Sequence, residues 1–454
     1  MYWISKTIHR LGRMQHRTGI LLAVLGPGII TMVADNDAGG ISTYAQTGAK
    51  TGFGLLWIFI ILVPMAYYVQ EMTVRLGAVT KRGHAEAIFE GFGPFWGWFS
   101  IFDLALINWL TLVTEYIGMT QAMAMFGIPA WITFLGVTAL LMSIVLSGRY
   151  WTFEKITLFF CLFNLVYIPA AIWAMQTGNV VKGWPAVAEG FYNPRLAMAG
   201  GFTGAALITL IMANIGTTIT PWQIFFQQSA VVDKGMDIKD VKFGKMDTFA
   251  GALLTCLVAA FIVIATAAAF YYNHDTSSGA WKGVDESFTS WRDIDSAAKA
   301  AEAMPKVMPQ HGWGQWARLL FAIGLFDAGL LGALCISLST SWALGEVFGW
   351  AHSLNRSVRE APWFYVAYLL MLGSAGAVSL VSSIPMQNAI TIFVQVVAVT
   401  LLPAALIFLI LILNDKQVMG EHVNTRWQNL VNWAIVIFVI AMSSAYGVSV
   451  LLGG

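Results

Sequence analysis

The sequence predicts an all-α, polytopic membrane protein of about eleven transmembrane helices, with the first and the sixth broken near their centres. Three observations carry that prediction. Hydrophobic residues make up 58% of the 454 positions and charged residues only 11%, less than half the share usual in soluble domains. Eleven apolar stretches are long enough to cross a bilayer, which takes ~20 helical residues. Two of those stretches, five helices apart, are interrupted by polar residues beside glycine or proline.

In order, the stretches cover approximately 20–46, 54–77, 97–126, 130–147, 152–177, 200–230, 247–272, 315–346, 360–382, 387–413 and 429–452. The first, third, sixth and eighth exceed what a straight crossing needs, which leaves room for breaks, tilt or extension beyond the bilayer. Most of the 25 Lys and Arg fall in alternate connections. These are Lys6, Arg10, Arg13 and Arg17; Arg75, Lys81 and Arg82; Arg149 and Lys155; Lys234, Lys239, Lys242 and Lys245; Arg356 and Arg359; and Lys416 and Arg426. The excess of cations on cytoplasmic loops then places the N-terminus inside and the C-terminus outside. The sizeable polar connection, 273–314, becomes an outer loop. It holds Trp281, Trp291 and Trp313, and its run IDSAAKAAEAM predicts a short helix near 294–304.

No linker divides the chain, so residues 1–454 read as one transmembrane domain. A net charge of +1 argues against a nucleic-acid partner. Cys161, Cys256 and Cys335 lie in apolar runs, too far apart to clip a metal, and read as packed small hydrophobes. The first 18 residues are basic and amphipathic with no apolar h-region, so no cleavable signal peptide is expected. The short loops suggest a prokaryotic inner membrane.

The first break lies in GPGIITMVADNDAGGISTYAQTG, residues 26–48. Asp35 and Asp37 stand at mid-membrane depth, where one charge costs roughly 2.5–3.5 kcal/mol on insertion scales. Such acids persist by meeting an ion, a proton or a polar partner. Gly39 and Gly40 favour an unwound stretch with free carbonyls. The second break lies in IMANIGTTITPWQIFFQQSA, residues 211–230. Pro221 there removes a backbone donor and clashes one turn back. Broken helices in matching positions of two halves point to a substrate site in a transporter built from inverted repeats. The implied repeats run about 20–177 and 200–413, with 429–452 appended. Taken alone, the second break reads as a structural kink; the two buried acids of the first turn the pair into a site.

Within that site Asp37 is the leading ion ligand, direct or through water, the alternative being an N-cap of the second half-helix. Asp35 lies roughly 200° round a regular helix from Asp37. It therefore reads as an outer-shell or vestibule acid, or as the partner of a nearby donor. Asn36 either lines the site or caps a helix. Thr217 and Thr220, one turn apart, share a face and line the site. Asn214 and Gln223 extend that polar stripe. Gly40 and Ala34 contribute through the backbone. Trp222 reads as packing more than as a gate. Glu115 is either a vestigial proton acceptor or the partner of a backbone group. Gln395 faces the pathway. Asp327, a third intramembrane acid, bonds a neighbouring helix or belongs to an exit path, with the first favoured. Arg75, Glu86, Arg149, Glu154, Asp415 and Lys416 read by default as interfacial snorkelling residues.

At these residues the chain resembles the natural resistance-associated macrophage protein family of divalent-metal transporters. The family's GP…DPGN segment matches GPGIITMVADNDAGG, with Asp37 on its metal-binding Asp. Its second-helix pattern matches Gln70, Arg75, Leu76, Gly77, Thr80, Ala85 and Glu86. Its third-helix motif matches Glu115 to Gly118, its sixth-helix MPHN matches Thr220 to Gln223, and its tenth-helix end matches Asp415, Lys416, Met419 and Gly420. The resemblance covers nearly the whole chain and implies a LeuT-like fold, with an inverted 5+5 repeat, alternating access and no resident cofactor.

The departures carry their own information. The family's ligand Asn is Gly40, its ligand Met is Thr220, and its small carbonyl-offering residue is Thr217. Its two helix-six histidines are Trp222 and Gln227, an acid of helix three is Leu112, and a Gln of helix ten falls on Leu401. Thioether sulfur favours transition metals over hard ions. Replacing it by Thr220 leaves oxygen donors, and Gly40 opens space. Mg2+ usually keeps several waters around one or two carboxylates, so a roomy oxygen site suits partly hydrated Mg2+, with Mn2+ tolerated. These changes resemble the branch called Nramp-related magnesium transporters, which implies loss of proton coupling. The expected activity is Mg2+ import driven by the membrane potential, in a chain that forms a pathway as a monomer. The competing readings are a proton-coupled Mn2+/Fe2+ importer and a sodium-coupled organic-solute symporter on the same fold. No HExxH, GxSxG or paired catalytic His–acid set supports an enzyme.

Overall fold

The computed structural model describes residues 26–178, 180–198, 204–273 and 294–451. The basic N-terminal segment and residues 274–293 of the 273–314 connection, with Trp281 and Trp291, lie outside the described residues. Among those residues there is no strand.

The first apolar stretch forms two short helices, α1 (Pro27–Ala34) and α2 (Ala38–Thr51), separated by Asp35, Asn36 and Asp37. Then follow α3 (Trp57–Thr80), α4 (His84–Phe92), α5 (Pro94–Ala124), α6 (Ala130–Val145), α7 (Tyr150–Cys161) and α8 (Tyr167–Thr177). A 3-10 turn at Leu162–Val166 joins the last two into one crossing. After α9 (Trp184–Tyr192), the sixth crossing is again split, into α10 (Gly204–Thr218) and α11 (Pro221–Asp233). The rest are α12 (Val241–Thr266), α13 (Ala297–Val307), α14 (Trp313–Phe348), α15 (Pro362–Val381), α16 (Ile384–Asn414), the single turn α17 (Lys416–Met419) and α18 (Arg426–Leu451).

Nine helical segments among the described residues are long and apolar enough to cross a membrane. The split α1–α2 pair and the shorter α6 complete the eleven predicted stretches. The seventh crossing begins earlier than its hydropathy suggests, at Val241 instead of 247, because Lys242, Lys245 and Asp247 lie within the helix. The helix expected near 294–304 forms as α13, with the Ser296 side chain accepting from the Lys299 amide at 3.2 Å. The short helices α4 and α9 fall between spans, too short to register as crossings.

The two split helices pack against each other half by half. Helix α1 lies beside α11, and α2 beside α10. Helix α12 covers both α1 and α2, α14 and α5 flank α2 and each other, and α16 runs along α10. The breaks therefore meet at the centre of the bundle, walled by α5, α12, α14 and α16.

Candidate functional site

The first break is held open by donors and acceptors that a continuous helix would have used on itself. The Ala38 amide, which would otherwise reach the Ala34 carbonyl, donates to Glu115 Oε2 on α5 at 2.9 Å. The Gly40 amide donates to Asp37 Oδ1 at 2.5 Å, so Asp37 is the N-cap of α2. The positive end of α2 is thus covered by two carboxylates. The other end of the segment is tied down by Asp247 on α12. Its carboxylate accepts from the amides of Gly26 (3.1 Å), Gly28 (2.7 Å) and Ile29 (3.3 Å) at the start of α1. Thr255 on the same helix donates to the Met32 carbonyl, and the Thr255 carbonyl accepts from Asn36 Nδ2 at 3.2 Å.

The second break uses no charge. Pro221 has no N–H, so the Thr217 carbonyl lacks its helical donor. The Thr220 amide turns to Gln223 Oε1 at 3.0 Å, which frees the Gly216 carbonyl as well. Thr220 is extended (φ −112°, ψ 152°) and caps α11. This extended residue undoes the regular-helix argument that put Thr217 and Thr220 on one face. Thr220 Oγ1 lies 3.4 Å from Asp35 Oδ1, whereas Thr217 Oγ1 lies against Gly40.

Around Gly40 the oxygens converge. A Cβ placed there would collide with Thr217 Oγ1 and lie 3.2 Å from both Asp37 Oδ1 and the Asp35 carbonyl. One residue earlier, a Cβ at Gly39 would collide with the Gln395 amide on α16. Gly216 is in the same position against the Gln395 carbonyl, and Gly332 on α14 lets the Glu115 carboxylate and Asp37 lie against that helix. Four glycines from three crossings therefore bring carboxylate, hydroxyl, amide and backbone oxygen into one small space. Asp35, Asn36, Asp37, Thr217, Thr220 and Gln395 are all fully buried. In this conformation the site is closed to solvent on both sides.

Several polar atoms there find no protein partner: Asp35 Oδ2, Asn36 Oδ1, Asp37 Oδ2, Thr217 Oγ1 and both amide atoms of Gln395. Each buried, unsatisfied polar group costs about 1–3 kcal/mol, and more when charged. The donors that converge on Gly40 are all oxygen, so the set suits a hard cation that brings its own charge and waters. Among the described residues no three His, Cys, Asp or Glu side chains are grouped to hold a metal; what the breaks offer is one or two acids and neutral oxygen.

The remaining sequence candidates occupy defined positions nearby. Asn214 Nδ2 donates to Thr47 Oγ1 (2.8 Å), and the Tyr44 and Thr218 hydroxyls lie 3.0 Å apart. Together they form a polar seam between α2 and α10. Gln223 caps α11 and also reaches the Thr31 carbonyl from Nε2 (3.5 Å). Trp222 is fully buried; its ring packs edge-on to Phe226 and its carbonyl accepts from Ser339 at 3.0 Å. Gln227 donates to Thr248 at 2.8 Å. Asp327 sits away from the breaks and accepts from Asn164 at 3.4 Å.

Two residues expected to snorkel do otherwise. Arg75 pairs with Glu71 at 3.1 Å and also donates to Asn424 and the His422 carbonyl. Glu154 pairs with Lys234 at 2.5 Å with both side chains buried. Sequence reasoning also missed Asp247. The signal was present, as an acid at the end of an apolar stretch, but its partners lie more than two hundred residues away.

A family profile described as natural resistance-associated macrophage protein-like matches residues 28–449. The divalent metal cation transporter MntH of Listeria monocytogenes is 25% identical over 435 residues, covering 93% of this chain and 89% of that protein. Metal transporter Nramp3 of Oryza sativa subsp. japonica is 24% identical over 441 residues, covering 94% and 74%. Among solved structures, the manganese transporter of Eremococcus coleocola superposes with a TM-score of 0.74 at 20% identity, covering 93% of this chain and 85% of that one. MhsT in complex with L-phenylalanine superposes with a TM-score of 0.56 at 15% identity, covering 95% and 98%. The last two are likenesses of fold.

Proposed function

The chain belongs to the natural resistance-associated macrophage protein family, and on that premise we propose that this divalent metal transporter imports Mg2+, accepts Mn2+ as a second ion, and does so without protons. One observation carries the reading: two buried carboxylate oxygens of the first break, Asp35 Oδ2 and Asp37 Oδ2, accept from no protein donor, and the neighbouring donors at Gly40 are hydroxyl, carboxylate and carbonyl oxygen. A hard dication that keeps part of its hydration shell satisfies these groups. A softer metal gains nothing from the hydroxyl at Thr220 where a thioether would have attracted it.

The ion sits between the two breaks. Asp37 supplies charge. Thr217, the Ala34 and Thr217 carbonyls and, through water, Asp35, Thr220, Asn36 and Gln395 supply neutral or outer contacts. Glu115 holds the end of α2 through Ala38 and is already engaged there. Alternating access uses the two breaks as hinges: the start of α1 is clamped to α12 through Asp247, while α2, which also packs on α12, is held at its own start by Glu115 of α5. The N-terminus lies inside and the C-terminus outside, the protein works as a monomer, and its membrane is a prokaryotic inner membrane. Two charges moving inward through 100 mV gain about 4.6 kcal/mol, twice the single-charge figure, so no second ion is required.

The test is Mg2+ uptake into proteoliposomes with an inside-negative potential and no pH gradient. Protein-dependent uptake that is indifferent to an added inward proton gradient supports the proposal. Silence with Mg2+, together with Mn2+ uptake that needs the proton gradient, establishes the alternative of a proton-coupled Mn2+ importer, for which the retained Glu115 and the manganese-transporting neighbour speak.

A further inference from the structure

Between the breaks and the inner face, α1 and α11 carry polar residues toward each other. On α1, Thr31 stands one turn from Asp35. On α11, Gln223 and Gln227 are one turn apart, and Lys234, the C-cap in helical conformation, follows two turns later on the same face. Gln223 Nε2 reaches the Thr31 carbonyl at 3.5 Å. Gln227 donates to Thr248, whose backbone lies against Gly28 at the start of α1, and Gln227 Oε1 has no protein partner. The stripe ends at Lys234, which pairs with Glu154 of α7 at 2.5 Å.

That pair lies on the residue just before α1. A Cβ on Gly26 would collide with the Glu154 carboxylate, and Gly26 takes a φ of +147°, which favours glycine. Asp247 of α12 accepts from the Gly26 amide at 3.1 Å, and the Lys234 charge acts on Asp247 as well. Glu154 and Lys234 belong to different crossings. Arg75 and Glu71, the other buried pair, lie one turn apart within α3, and Lys245 reinforces Glu71 at 2.6 Å. Parting two crossings separates the first pair and leaves the second intact.

We propose that Glu154 and Lys234 are the latch of the inner side: they hold α7 to α11 across the start of α1, and the route from the breaks to the inner face opens between α1 and α11 when they part. The inference rests on the alternating access proposed above and not on which ion is carried. Neither residue touches the ion; both act through the position of α1. That helix has eight residues and meets α2 through the unwound Asp35, Asn36 and Asp37, so it can pivot there without breaking helical hydrogen bonds. An ion pair suits a latch, because its attraction is strong while buried and weak once water enters.

The experiment introduces Thr31→Cys, at a fully buried position between the breaks and the pair, into a chain carrying Cys161→Ala, Cys256→Ala and Cys335→Ala. Its labelling by a membrane-impermeant maleimide is timed in inside-out and right-side-out vesicles. Glu154→Gln and Lys234→Met should each speed labelling about tenfold or more in inside-out vesicles, the effect of a one-decade shift in the closed population, and leave right-side-out vesicles as they are. Gly26→Ala displaces the Glu154 carboxylate without removing a charge and should act in the same direction, so the test does not depend on the fold tolerating an unpaired buried charge. Lys234→Arg should keep the native rate, and so should Arg75→Met, which breaks the pair within α3. Labelling needs no ion flux, so its outcome stands apart from the Mg2+ assignment. Unchanged labelling in the three latch variants, an equal gain from both faces, or the same gain in Arg75→Met would overturn the proposal.

Discussion

The two breaks at the centre of the bundle solve the same problem with opposite chemistry. Both leave a helix start inside the membrane with donors to satisfy. At the first, carboxylates do it: Asp37 takes the Gly40 amide and Glu115 takes the Ala38 amide. At the second, neutral groups do it: Pro221 needs no partner and Gln223 takes the Thr220 amide. All the formal charge at the site therefore lies on one side, and the other side offers only hydroxyl and carbonyl oxygen. A dication held this way is neutralised by one wall and merely solvated by the other. That arrangement favours an ion that keeps water, because neutral oxygens compete poorly with its hydration shell.

The first way to break the comparison is to remove the charge. Asp37→Ala should lower Mg2+ uptake roughly 100-fold or more, as expected when a buried charge partner is lost, while the protein still folds, because Glu115 continues to hold α2. Uptake in proteoliposomes and size-exclusion behaviour together check it. Uptake within a few-fold of the native rate would mean that the charged side is scaffolding and the ion lies elsewhere.

The second way is to alter the neutral side. Thr217→Val keeps the shape and loses the oxygen at Gly40, and should weaken uptake about tenfold. Thr220→Met should act on choice more than on rate. It places a soft ligand at the edge of the site and should shift competition toward Mn2+ over Mg2+ by about tenfold, read by uptake from mixtures of the two ions. An unchanged preference would show that selectivity is set by the charged side after all.

The contrast between the breaks was legible in one dimension; their mutual geometry was not. Acids inside an apolar stretch, glycines beside them, and a proline five helices later are local signals, and hydropathy located the nine long apolar helices of the described residues because an exposed backbone cannot cross lipid. A regular helix does not continue through the second break, since the extended Thr220 parts the two threonines. Asp247 clamping α1 and the buried pairs Arg75–Glu71 and Glu154–Lys234 leave no trace in local sequence. Tertiary contacts make those pairings, and an isolated charge near a span end looks the same whether it snorkels or is buried against a partner.

A third test separates charge that binds from charge that caps. Glu115 Oε2 accepts from Ala38 at 2.9 Å, and a glutamine carbonyl can accept the same bond. Glu115→Gln should therefore leave Mg2+ uptake within about threefold of native, with the same flat response to external pH. A loss comparable to that of Asp37→Ala, or a pH response present in the native protein and absent from the variant, would make Glu115 a proton acceptor and restore coupling.

The smallest effect on transport belongs to the neutral cap. Gln223 accepts from the Thr220 amide at 3.0 Å and reaches the Thr31 carbonyl and Gln70 at 3.5 Å, joining the second break to the first without touching Gly40. Gln223→Ala removes a helix cap and should cost about 1 kcal/mol of stability, seen as a lower midpoint in thermal unfolding of the detergent-solubilised protein. Uptake should fall by less than about twofold, because the ion loses neither charge nor an oxygen at Gly40. If uptake instead dropped as far as in Thr217→Val, the capping glutamine would be contributing an oxygen to the ion, and the second break would solvate its cargo through side chains on both halves of its helix.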